Sequence, residues 1–235
     1  MEWIELPGLF PGLPDPARWL PLLQRHAAFL REHEARARVT SVSPEEAVRR
    51  HYAESLEIWR IACEGARAAP EVAVDVGSGG GFPGLVMACV APAARFALVE
   101  PLRKRAALLD GAARTLGLEN VTVVAARAEE AARGEWRASA GLVTARAVAA
   151  LPELLEYTAP FARAGGMLAL AKGSGWEAEL GGAGNAQQCL GCRFVRRIPM
   201  RPAVSETVGV LLFEQVQPSP EKYPRRAGLP HKRPL

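Results

Sequence analysis

Residues 72–84, Val-Ala-Val-Asp-Val-Gly-Ser-Gly-Gly-Gly-Phe-Pro-Gly, constrain this chain more than any other stretch. A short apolar run that ends in an acid and then in glycines predicts a buried strand stopping at a loop. The glycines let a ligand approach the backbone closely. In a sheet of parallel strands, ligands bind beyond the carboxyl ends of the strands. The predicted strands that follow (residues 96–100, 121–125, 142–145 and 167–171) are separated by helical stretches at 103–116 and 152–164. Strands alternating with helices imply a parallel sheet covered on both faces. Runs at 194–198 and 208–215 have only a short, proline-containing connection and predict a closing antiparallel pair.

Before this unit, residues 17–36 carry Trp19, Leu20, Leu22, Leu23, Ala27 and Leu30 at helical spacing. Residues 39–42 predict a turn. Ser43-Pro44-Glu45-Glu46 is a helix start, with a cap, a proline and an early acid, and its helix should run to about residue 66. The first fifteen residues are rich in proline and glycine and predict irregular chain. We therefore expect a helical extension over 1–70, an α/β domain over 71–220 and a tail over 221–235.

The glycine loop admits two ligands. Gly79, Gly81 and Gly84 match G-x-G-x-x-G, and Glu100 follows 21 residues after Gly79, the spacing of a ribose-binding acid in a dinucleotide site. That fingerprint, however, should follow its strand directly. Here Asp75-Val76-Gly77-Ser78 intervenes. Asp75, Gly77, Gly79 and Gly81 instead form the D-x-G-x-G-x-G loop of S-adenosylmethionine (SAM) methyltransferases. The ammonium and sulfonium of that ligand suit an acid at the strand end, and its ribose suits Glu100. Glu129, after the third strand, either reaches the adenine edge or caps a helix start. Arg146, after the fourth, either faces cofactor and acceptor or makes a surface ion pair. Neither an Asn/Asp-Pro-Pro-Tyr motif nor a cysteine nucleophile stands at the strand ends, which disfavours exocyclic-amine and pyrimidine-carbon methylation.

The net charge of +4 resides in the last fifteen residues, where Lys222, Arg225, Arg226, Lys232 and Arg233 face one acid, Glu221. The rest of the chain is neutral. A polyanion contact should therefore involve the tail. The longest uncharged stretch, residues 76–94, holds five glycines and two prolines and cannot be a plain membrane-spanning helix. The N-terminus lacks a signal-peptide pattern. A soluble cytoplasmic protein is expected. Cys189-Leu190-Gly191-Cys192 has no second pair of ligands for zinc, so reduced structural thiols and no metal are expected.

Taken together, the motifs resemble the RsmG family, also called glucose-inhibited division protein B, of bacterial 16S rRNA guanine-N7 methyltransferases. The likeness runs through Val39-Thr40-Ser41-Val42, Glu45-Glu46, His51 and Ser55-Leu56, the loop with its Phe82-Pro83-Gly84 ending, Val99-Glu100 with Lys104 and Arg105, Arg127-Ala128-Glu129-Glu130, Ala145-Arg146-Ala147, and residues 222–230. Glu54, Pro101 and Gly141 depart from the residues expected there. The resemblance implies a Rossmann-like class I methyltransferase fold with a mainly parallel seven-stranded sheet, and SAM as cofactor. It implies a cofactor site lined by Gly77, Phe82, Glu100, Pro101, Leu102, Ala128, Glu129 and Arg146. The implied partner is 16S rRNA or the small ribosomal subunit; a monomer is expected. Lys104, Arg105, Arg225 and Arg226 are the candidate phosphate contacts. Tyr223 either stacks on a base or packs in the core. His51 either contacts a ligand or is a satisfied structural histidine. No side chain is assigned as catalytic, because guanine N7 carries a lone pair and no proton. A methyltransferase on another acceptor, or an assembly factor that keeps the fold without the reaction, are the competing readings.

Overall fold

The computed structural model describes residues 1–37, 42–65 and 70–235; the turn expected at 39–42 lies outside them but for Val42. Seven strands form one sheet: β1 (Val72–Val76), β2 (Arg95–Val99), β3 (Val121–Val124), β4 (Ala140–Arg146), β5 (Ala162–Lys172), β6 (Cys192–Pro199) and β7 (Gly209–Gln215). Their order is β3-β2-β1-β4-β5-β7-β6. The first five are parallel, and β7 runs antiparallel to both β5 and β6. The order reverses direction at β1, so the ends of β1 and β4 flank the crevice where a ligand seats.

Eleven α-helical segments are described among these residues: α1 (Leu6–Leu9), α2 (Pro16–Ala37), α3 (Pro44–Ala47), α4 (Glu54–Gly65), α5 (Gly84–Val90), α6 (Arg103–Leu116), α7 (Ala128–Ala131), α8 (Leu151–Thr158), α9 (Trp176–Gly181), α10 (Gly184–Leu190) and α11 (Leu229–Lys232). The helix predicted from Ser43 onward is not uniform. A π-helical stretch, Val48–Ala53, joins α3 to α4. The wider turn re-aims the side chains of His51 and Tyr52, and such turns recur at functional sites. The helix predicted to reach 164 ends at Thr158. Pro160 disfavours helical backbone at the residue before it, a 3-10 turn (Ala159–Phe161) follows, and β5 begins at Ala162. Helices α9 and α10 were not foreseen, because glycines at 181, 182 and 184 break their pattern into pieces too short to read.

Alternate residues of each strand feed the two faces of the sheet. Phe96 and Leu98 of β2 join a cluster with Trp19 and Leu23 of α2, Tyr52, and Leu56 of α4. Ala97 and Val99 face a second cluster with Leu154 and Leu155 of α8, Leu190 of α10, and Tyr223. The N-terminal helices and the C-terminal segment therefore cover opposite faces.

Candidate functional site

The chain turns out of β1 through three glycines in left-handed backbone, Gly77 (φ 75°), Gly79 (φ 55°) and Gly81 (φ 100°). The backbone N–H groups of Gly77 and Ser78 donate to the carbonyl of Val99, 2.8 and 3.2 Å away, which draws the loop across the end of β2. Asp75 lies beneath this loop and is 1% exposed. Its Oδ2 accepts from the Gly84 N–H at 3.0 Å and its Oδ1 from the Thr144 hydroxyl at 2.7 Å. Burial pushes its carboxyl upward, against those donors. Asp75 therefore anchors the loop from below, where the sequence suggested an acid facing the ligand's cation. Gly84 serves the same anchor: a Cβ there would stand 2.5 Å from Leu98 Cδ2 and 2.6 Å from Asp75 Cβ.

Glu100 is the acid at the ligand side. Its Oε2 accepts from the Gly79 N–H at 3.0 Å and its Oε1 from the Leu102 N–H at 2.9 Å. One carboxylate thus ties the loop after β1 to the loop after β2. Each oxygen keeps lone-pair capacity for a ribose hydroxyl. Pro101 and Leu102 are exposed beside it and offer an apolar shelf. Ala128 and Glu129 begin α7 at the end of β3. The Glu129 carboxylate is engaged within the chain. It is 4% exposed and accepts from the Gly228 N–H at 2.8 Å, holding the C-terminal segment.

At the end of β4 the N-terminal helices complete the site. Phe82 stacks on His51, with ring centroids 4.4 Å apart and planes 15° apart, and meets Tyr52 edge-on at 5.3 Å. The Arg146 guanidinium lies 5.6 Å above the Phe82 ring. It donates to the Arg50 carbonyl at 2.5 Å and to Glu54 Oε2 at 3.1 Å, and it stands 3.2 Å from His51 Nδ1. Arg146 is thus a half-hidden tie between the sheet and the π-helical turn, with a side chain 16% exposed, and not a surface ion pair. A guanidinium has no acceptor, so the facing Nδ1 of His51 is the acceptor and the ring is neutral. Burial, then Arg146, lowers His51 to about 4. Burial raises Glu54 while Arg146 opposes the rise. A cavity of about 430 Å³ opens here beyond β4 and β5, lined by Arg50, His51, Glu54, Arg146, Lys172 and Glu179 among others. Lys172 Nζ donates to the Ala149 carbonyl at 2.9 Å and pairs with Glu179 at 2.5 Å. Lys172, Glu179 and the neighbouring His26 carry no signal in the sequence. Each is a single polar residue that topology alone brings to the site.

A pH dependence follows. His26 is fully buried and lowered by that burial to about 3. In the unfolded chain a histidine titrates near 6.5. Above that pH both states are neutral and the buried ring adds no pH term. Below it the unfolded chain takes up a proton that the folded chain refuses, so stability falls by about 1.4 kcal/mol per pH unit. His51, buried but lowered less, adds a smaller term of the same sign. Urea unfolding between pH 7.5 and 5 should show the midpoint falling, and a His26→Phe variant should show a shallower fall. Equal slopes for the two proteins would contradict a buried neutral His26.

The basic tail is folded onto the body. Arg225 forks onto the fully buried Glu156, with Nε 2.9 Å and Nη2 2.6 Å from its oxygens, and its backbone N–H donates to the same carboxylate. A further donor reaches the Arg233 carbonyl at 2.8 Å. Arg225 is therefore a structural clamp and not the free phosphate contact that the sequence suggested. Arg137 and Arg133 grip the carbonyls of Ser219, Tyr223 and Pro224. Tyr223 is buried in the second core cluster, which settles core packing over base stacking. Arg226 and Lys104 are exposed, and Arg105 is half-buried. The four cysteines are free thiols. Burial pushes Cys192 up to about 12, and the Cys189 thiol lies 3.7 Å from Asn185 Oδ1.

The strand order, the antiparallel β7 and the ligand crevice after β1 define a class I, Rossmann-like methyltransferase fold. The same fold is found in M. jannaschii TYW2 bound to AdoMet (TM-score 0.56, 16% identity, 74% of this chain and 78% of that one). It is found also in a 16S rRNA (adenine(1408)-N(1))-methyltransferase from Catenulisporales acidiphilia (TM-score 0.51, 18% identity, 77% and 95% covered). The GidB family, rRNA small subunit methyltransferase G, matches residues 20–197. Proteins named ribosomal RNA small subunit methyltransferase G are 38% identical over 226 residues in Roseiflexus castenholzii, covering 95% of both chains, and 39% identical over 229 residues in Rubrobacter xylanophilus, covering 95% of this chain and 87% of that one. The chain belongs to the rRNA small subunit methyltransferase G family.

Proposed function

We propose that this chain, acting as a cytoplasmic monomer, transfers the methyl group of SAM to N7 of a guanosine in 16S rRNA, presented in the small ribosomal subunit. The observation that carries the reading is Glu100. It joins the two loops at the switch point and keeps lone-pair capacity that a ribose hydroxyl would use, in a chain of this family. The cofactor supplies an electrophilic methyl. The protein's part is positioning, which is worth about 7–11 kcal/mol of barrier in well-oriented reactions. Guanine N7 attacks with its own lone pair, so no base is needed. Glu54 and Glu179 line the cavity, each already paired with a cation, Arg146 and Lys172, so they shape the acceptor side and carry no spare charge. In this reading residues 1–70 complete the acceptor side, 71–220 carry the cofactor, and 221–235 brace the wall behind Glu129. No helix among the described residues is long and apolar enough to cross a membrane.

Exposed Lys104 and Arg226 are the candidates for phosphate contact, with Arg105 beside them. Replacing Lys104 and Arg226 together by alanine should weaken RNA binding. The slope of log affinity against log salt should fall by roughly 0.7 to 0.9 for each lost contact. Arg225→Ala should lower the melting temperature instead, because it strips Glu156 of its partner. A salt slope that changes with Arg225 alone would reverse this division of the tail. The reaction itself is tested with 16S rRNA transcribed with 7-deazaguanosine triphosphate and assembled into subunits. Ordinary RNA should take label from methyl-labelled SAM and the deaza RNA none; label in the deaza RNA would place the methyl elsewhere.

A further inference from the structure

One wall of the cavity beyond β4 and β5 is built from Lys172, the last residue of β5, and Glu179, on α9. The Glu179 carboxylate is fixed through one oxygen. Its Oε2 accepts from the Leu151 N–H at 2.7 Å and pairs with Lys172 Nζ at 2.5 Å. Lys172 Nζ also donates to the Ala149 carbonyl at 2.9 Å, which leaves it one N–H of three. Glu179 Oε1 takes no hydrogen bond from any described residue, and it is not sealed away from solvent. The ion pair is therefore neutral as a whole, yet it presents an N–H donor and a carboxylate acceptor side by side. A brace between α8, α9 and β5 would need Oε2 alone. At about 430 Å³ the cavity is in the range that encloses a small ligand.

The strand order decides which part of a base meets this pair. β4, carrying Arg146, stands between β1 and β5. The cofactor crevice is on the β1 side, so Lys172 and Glu179 hold the side of the cavity away from it. A guanine whose N7 meets the cofactor turns its six-membered ring the other way. The edge of that ring carries O6 as acceptor beside the N1–H and N2 amino donors, an order no other RNA base offers, and RNA bases are read on such edges. We propose that Lys172 and Glu179 read the acceptor base as guanine, Lys172 donating to O6 and Glu179 Oε1 accepting from the N2 amino group. The inference rests on the cavity being the acceptor site of the reaction proposed above. Adenine in the same place would set its N6 amino group against the Lys172 ammonium and bring no donor to Glu179. Polar groups left unpaired in this way are the strongest means a site has of rejecting a near neighbour.

The test pairs a changed base with a changed residue. Small subunits are assembled on 16S rRNA that carries either guanosine or inosine at the methylated position. Inosine lacks the N2 amino group and keeps O6, N1–H and N7. The parent should use inosine RNA with a kcat/KM about tenfold below that for guanosine RNA, the low end for one hydrogen bond to a charged group. In Glu179→Gln the amide oxygen must take the Leu151 N–H and Lys172, which turns its NH2 toward the base's own donors. Transfer to guanosine RNA should then fall about tenfold and the two RNAs should become equal within about twofold, with SAM binding and melting temperature near those of the parent. Glu179→Ala, which should melt lower, should erase the preference as well. A purely structural brace would lower transfer to both RNAs alike and keep the ratio between them. A tenfold preference retained in both variants, or a parent indifferent to the amino group, would overturn the proposal. A parent that methylates neither RNA would overturn the functional reading and the proposal with it, which tells the two failures apart.

Discussion

Replacing Glu100 with alanine should weaken SAM binding by about 100- to 1,000-fold while the protein still folds. Two backbone donors, Gly79 and Leu102, lose an ionised acceptor. Hydrogen bonds to charged groups are worth about 1.5–3 kcal/mol each. Part of that is recovered when water reaches the freed N–H groups, and the lost ribose contacts add to the deficit. A net loss of roughly 3–4 kcal/mol corresponds to the stated range. Glu100→Gln should be nearly as harmful, since its amide nitrogen meets an N–H that needs an acceptor. Calorimetric titration with SAM reads both. Binding within fivefold of the parent would remove Glu100 from the cofactor site.

Arg146→Ala should cost activity and stability together. The substitution strips the Arg50 carbonyl of a donor and leaves Glu54 without its counter-ion, and it uncovers the Phe82 ring. Breaking a buried pair typically costs about 3–5 kcal/mol. The pair here opens onto a cavity, so a loss of about 3 kcal/mol is expected in urea unfolding. Methyl transfer should fall below detection even where the variant is folded, because the π-helical turn loses its tie to β4. Arg146→Lys should keep most of the stability and little of the activity, since an ammonium has one nitrogen and cannot meet Arg50 and Glu54 through one end and His51 through another. Near-parental transfer by Arg146→Ala would show that the turn is held by packing alone.

Much of this architecture was legible in the sequence because each element carries its own local pattern. The run 72–76 is β1 without adjustment. Residues 103–116 are α6, closed by Gly117 in left-handed backbone. The 21-residue interval from Gly79 to Glu100 became a hydrogen bond. What stayed hidden was direction and partnership. A strand-end acid can point up at a ligand or down at its own helix, and Asp75 points down because Thr144, 69 positions on, offers it a hydroxyl. Positive charge in the tail looked free, but Arg225 had a buried partner at Glu156, also 69 positions away. The π-helical turn has no periodic signature in six residues, so the meeting of His51 and Tyr52 with Phe82 could not be read. Likewise Glu129 fits a helix start in sequence, and only the fold turns its carboxylate onto Gly228.

The most direct measurement is methyl transfer from labelled SAM to small ribosomal subunits isolated undermethylated, followed by nuclease digestion and mass spectrometry of the nucleosides. Label is expected in 7-methylguanosine, and its loss with Glu100→Ala. Measurable SAM binding with no label in the RNA, or label in any other nucleoside, would contradict it.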